Sequence, residues 1–143
     1  MARAAWFSPV VLILVICGGA AGVAARAALT VPFSAGAHPL LVPALTLVIN
    51  LAGALLLGVV VGALDDRHPR WRSFLGTGVL GGFTTYSAFA VHVVTMGSSA
   101  PLVGLVLAAV TIFGGALAAA AGLGLGRRIA GRPGEIESPE EAE

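Results

Sequence analysis

GTGVLGGFTTYSAF, residues 76–89, sits inside a long apolar stretch of the chain. Gly76, Gly78, Gly81 and Gly82 precede Thr84, Thr85 and Ser87. Glycine costs about 1 kcal/mol in a helix interior, so this run makes a poor continuous helix. An interruption near residues 81–85 would expose free carbonyls, which hold a hard cation, and free N–H groups, which meet an anion. Such backbone survives at membrane depth only inside protein or along a water-filled path. The same glycines also suit a close-packing helix face, and by spacing alone that is the simpler reading.

Working outward, the run is the third of four apolar stretches, at about residues 8–29, 40–64, 74–94 and 101–126. Each is long enough to cross a bilayer core as a helix, which needs about 20 residues. Period-2 alternation, the barrel signature, is absent. Composition agrees: of 143 residues 57% are hydrophobic and only 10% charged, where a soluble domain carries about 25%. Mean hydropathy is +0.97. The expected fold is therefore an all-α membrane protein of four transmembrane helices in one domain, residues 1–130. Residues 131–143 form an acidic, Pro-containing tail expected to be disordered. The first stretch runs on to Arg26, too far for a cleaved signal peptide.

The arginines set an orientation. Arg3, Arg67, Arg70, Arg72, Arg127, Arg128 and Arg132 all fall on one side of a four-span layout, and the opposite connections carry no Arg or Lys. The positive-inside rule then places both termini in the cytoplasm, as a multi-pass protein of the cell (inner or plasma) membrane. Trp6 and Trp71 lie near the same face, where indoles favour the interface. In the last connection, Ser98 or Ser99 is expected to cap the fourth helix ahead of Pro101.

The polar residues inside the spans are few. Asn50 offers two donors and an acceptor at mid-span and is equally suited to bonding a neighbouring helix. Arg26 lies toward the outer end of the first span; it either snorkels to the interface or attracts anions at a vestibule. His92 is expected to be packed and neutral. Cys17, the single cysteine, excludes an intrachain disulfide. Asp and Glu occur only at Asp65, Asp66 and beyond Gly134. A proton-coupled drug exporter needs a membrane carboxylate, so that class is disfavoured. No nucleophile–base pair, metal-spaced His/Cys set or phosphate loop marks an enzyme. Nucleic-acid binding is also unexpected, because topology accounts for the arginines. A non-conducting structural or assembly subunit remains a second reading.

The run at 76–89 resembles the third-helix signature of the CrcB/Fluc fluoride channels. Gly18-Gly19, Gly22 and Arg26 are similar to that family's first helix, and Thr46, Asn50, Gly53 and Gly58 to its second. The resemblance covers about residues 10–126. It implies a passive fluoride-selective channel that exports cytoplasmic fluoride, built as an antiparallel, dual-topology dimer. It implies a structural sodium ion at the dimer interface, held by the backbone carbonyls of Gly81 and Thr84. The implied fluoride pathway comprises Asn50, Tyr86, Ser87, Phe89 and Thr111, with Arg26 near its mouth. Tyr86 stands where the family usually has Phe. Ala88, His92 and Leu107 also depart from its pattern and thin the polar track. The one-sided arginines oppose dual insertion of one chain. The expected partner is therefore either a second copy or an oppositely oriented paralogue that supplies what is missing.

Overall fold

The computed structural model describes residues 8–34, 38–64 and 68–131. The expectations resting on Arg3, Trp6, Asp65, Asp66, Arg67, Arg132 and the acidic tail lie outside the described residues. Helix α1 is Pro9–Thr30, extended by a 3-10 turn at Val31–Phe33. Helix α2 is Leu41–Leu64. The third span begins with α3, Pro69–Arg72, and widens into a π-helix at Ser73–Leu80. A short turn, α4, covers Gly81–Phe83, and α5 covers Tyr86–Ser99. Helix α6 is Pro101–Ile129. Among the described residues, four helical stretches are long and apolar enough to cross a membrane.

Glycines decide which helices meet. A Cβ on Gly58 would overlap the Ala119 carbonyl, and one on Gly122 the Leu55 carbonyl. Further along, a Cβ on Gly62 would come within 2.9 Å of the Arg127 nitrogen. Rising residue numbers meet rising numbers, so α2 and α6 run parallel at near-backbone contact. The same holds for α1 and the first half of the third span. Gly18 meets Gly78 there, and Gly22 meets Val79 and Phe83. Small residues allow this approach, which is where dispersion and close carbonyl contacts replace the hydrophobic effect in lipid. Gly78 and Gly82 thus pack on α1, and Thr84 and Thr85 just beyond them have extended backbone.

Little is buried within one chain. Ile49 and Leu80 are the buried hydrophobic residues among those described, and Thr46 the buried polar one. Ile13, Val48, Leu105 and Leu117 are 60–72% exposed. Such surface is untenable in water and suits lipid or another subunit. The expected serine cap of the last helix is not formed. Ala100 precedes α6 without a side-chain cap, and Ser98 and Ser99 instead donate to the Thr95 carbonyl at 2.9 and 3.3 Å. These hydroxyls finish α5 and do not start α6.

Candidate functional site

Between α4 and α5 the backbone is extended. Thr84 has φ −77°, ψ 160° and Thr85 has φ −148°, ψ 118°. Two peptide units here lack the helical ladder, and side chains supply their partners. Asn50 on α2 does so twice: its Oδ1 accepts from the Thr85 N–H at 2.8 Å, and its Nδ2 donates to the Thr85 carbonyl at 3.0 Å. The Thr85 hydroxyl accepts from the Ala88 N–H at 3.2 Å and so caps α5. Thr84 turns inward on α4, with both its N–H and its hydroxyl donating to the Leu80 carbonyl at 3.0 Å.

Arg26 reaches the same region from the opposite side. Its Nε donates to the Gly82 carbonyl at 3.3 Å. A cation at a helix C-terminus is favoured by the macrodipole, and Gly82 belongs to the last turn before the extended residues. Arg26 is thus tied to the backbone of the third span.

An open groove of about 680 Å³ lies beside the interruption. Asn50, Gly81, Thr84, Tyr86, Phe89 and Thr111 all line it, so six of the eight residues singled out in the sequence converge. Arg26 and Ser87 are not on its wall. Ser87 is exposed, and its hydroxyl lies 3.2 Å from that of Thr85. Most of the remaining lining is apolar, from residues such as Leu57, Leu80 and Ile112. Tyr86 is 81% exposed at the rim. Its ring centroid is 5.9 Å from that of Phe89, at an interplanar angle of 52°. Thr111 donates to the Leu107 carbonyl at 2.7 Å, as a helical threonine commonly does.

Two features were not legible in the sequence. The π-helix at Ser73–Leu80 carries Gly76 and Thr77 to the groove; π segments often mark functional sites, but no residue pattern announces one. A polar tie between Thr46 and His92 joins α2 to α5, with Oγ1 and Nε2 3.3 Å apart. Both residues stand out as polar in apolar spans, which was the available signal.

Among the described residues no three His, Cys, Asp or Glu side chains gather to hold a metal. A cation here would have to use backbone oxygen, and the interruption provides it. The Thr85 N–H, whose helical partner would be the Gly81 carbonyl, bonds Asn50 instead. Gly81 is exposed and Thr84 is half-buried at the same point. The donor set therefore fits a hard monovalent cation, with oxygens still needed from elsewhere.

Residues 13–123 match the family described as CrcB-like protein, Camphor Resistance (CrcB). A relative from Leifsonia xyli subsp. xyli, named Fluoride-specific ion channel FluC 2, is 44% identical over 130 residues, covering 86% of this chain and 88% of the relative. A protein of the same name from Bacillus subtilis is 38% identical over 119 residues, covering 82% and 88%. One from Corynebacterium jeikeium is 51% identical over 86 residues, covering 58% of this chain and 50% of that one. With four apolar helical spans and a match over most of its length, this chain is a multi-pass membrane protein and belongs to the CrcB family.

Proposed function

We propose that this chain is a subunit of a passive, fluoride-selective channel that lets cytoplasmic fluoride leave the cell. The observation that carries the reading is the groove. Asn50, Thr84, Tyr86, Phe89 and Thr111 meet on one open wall in a chain whose relatives are named fluoride-specific ion channels. Fluoride is small and strongly hydrated, so a path must replace its water with donors. Asn50 keeps one amide N–H beyond its bond to Thr85, and the exposed Ser87 hydroxyl can add another donor; Thr111 would serve only by releasing its bond to the Leu107 carbonyl. The edges of Tyr86 and Phe89 carry positive partial charge. No Asp or Glu lies between residues 8 and 64 or 68 and 131, so no fixed anion repels the ion. Several weak sites in series favour conduction over retention.

One chain does not enclose the path. Tyr86 is exposed and the groove is open, so a second, antiparallel subunit would wall it. Gly81 and Thr84 carbonyls from both subunits would hold a sodium ion, which supplies a fixed positive charge when bound. Arg26, on the α1 side, holds Gly82 in place and leaves Gly81 and Thr84 to that ion. The one-sided arginines favour an oppositely oriented paralogue as the partner, with both termini of this chain in the cytoplasm. Expression in cells that lack their own fluoride exporter tests the function. Growth in fluoride should recover with this chain, alone or with such a paralogue. Unchanged sensitivity in both cases would favour the structural-subunit reading.

A further inference from the structure

We infer that Thr46 and His92 are positioning residues that fix the rotation of α5 and hence the aim of Tyr86 and Phe89. Helical threonines in this chain ordinarily turn inward. Thr30, Thr84, Thr95 and Thr111 each donate to the carbonyl four residues back. Thr46 instead meets His92 across the helix boundary. It does so while only 5% exposed, where a lost partner is costly.

The placement gives this tie leverage. No residue of Tyr86–Ser99 is buried, so packing alone holds α5 weakly. Its close contact with α6 is at the far end, where a Cβ on Gly104 would come within 2.7 Å of Gly97. At the near end Asn50 holds Thr85. Between these two ends, the Thr46–His92 contact is the side-chain hydrogen bond that joins α5 to another helix among the described residues. Thr46 lies one turn before Asn50 on α2. His92 lies two turns beyond Thr85 on α5, about 10 Å along the axis. Thr85, Phe89 and His92 share one face of α5 at this spacing. The Asn50 and Thr46 ties therefore clamp that face at two heights, with Phe89 between them.

This inference rests on the channel reading, and the experiment separates the two. Fluoride and chloride efflux would be measured from liposomes holding the full chain with whatever partner it needs. The variants are His92→Leu, His92→Gln, Thr46→Val, Thr46→Ser and the Thr46→Val/His92→Leu double. Each tie-breaking single change should slow fluoride efflux about tenfold, the scale of one hydrogen bond, and should lower selectivity over chloride. The His92→Gln and Thr46→Ser variants, which keep a bonding group, should recover most of both. The double variant should be no slower than either single one. Wild-type rates in His92→Leu, or losses that multiply in the double variant, would overturn the tie. Elution as an assembled dimer checks each variant. If the unaltered protein carries no fluoride, the channel reading fails, and the tie is then read from the His92 Nε2 nitrogen resonance. Thr46→Val should shift it; an unmoved resonance overturns the inference.

Discussion

Asn50 and Thr85 exchange two hydrogen bonds, at 2.8 and 3.0 Å, so that one amide side chain replaces the helical ladder at both backbone groups of one residue. Everything proposed for the groove depends on this pair. It holds the chain extended between α4 and α5, it aims Tyr86 outward, and it withdraws the Thr85 N–H from Gly81.

Replacing Asn50 with Leu leaves a part-buried N–H and carbonyl of Thr85 without their partner, at up to roughly 1–3 kcal/mol each. Fluoride efflux should fall to background and the assembled protein should melt earlier. Asn50→Asp keeps an acceptor for the Thr85 N–H but introduces a carboxylate beside the path. It should retain more stability than Leu while still abolishing efflux. Thermal unfolding and electrode-recorded efflux on the two variants separate the holding role from the donor role.

The ring at position 86 should matter more than its hydroxyl. Tyr86→Phe keeps the positive edge and should change fluoride efflux by less than about threefold, no more than a weak hydrogen bond. Tyr86→Leu removes the edge and should cost about tenfold or more in rate. Equal effects of the two substitutions would place the function in the hydroxyl instead.

Helix packing gives a prediction independent of transport. A Cβ on Gly122 would overlap the Leu55 carbonyl, and its neighbours are backbone, which cannot step aside. Gly122→Val should cost at least the roughly 1–3 kcal/mol of an overpacked core and deplete the folded form in detergent. Gly124, with open space around it, should accept Ala with no change in elution. Size-exclusion profiles of the two variants compare them directly.

Topology is testable by labelling. Single cysteines placed in the connections at 97–101 and 65–72, in a Cys17→Ala background, should react from opposite sides of the membrane, each from one side only. Reaction of both positions from both sides in equal amounts would mean dual insertion, and would remove the reason for an oppositely oriented paralogue.

The spans were legible because bilayer thickness and hydropathy are one-dimensional constraints; Gly81, Thr84, Tyr86 and Phe89 were legible in the run at 76–89, and Asn50 and Thr111 as polar residues in apolar spans. The geometry was less so. Asn50 looked equally like a pathway donor or helix glue, and it bonds Thr85 while lining the groove. Arg26 read either as a snorkelling residue or as a vestibule charge, and its Nε bonds the Gly82 carbonyl. Thr111 entered as a pathway hydroxyl implied by the family resemblance, and its proton is directed to the Leu107 carbonyl. Each of these outcomes turns on which backbone group lies within reach, and spacing along one chain does not encode that. The π-helix is invisible for the same reason, being a register change in hydrogen bonding with no residue signature of its own.

The sodium site proposed at the Gly81 and Thr84 carbonyls predicts sodium dependence. Proteoliposomes prepared without sodium, with a large organic cation in its place, should show slower fluoride efflux and a less stable dimer. Both should recover on adding sodium chloride and not with further organic salt.

The most direct measurement is fluoride efflux from liposomes reconstituted with this protein, with chloride as the control ion, first alone and then with an oppositely oriented paralogue. The account predicts fast, fluoride-selective efflux in at least one of the two preparations, with the paralogue required if the one-sided arginines fix the insertion. Silence toward fluoride in both, in protein that elutes folded and assembled, would contradict it.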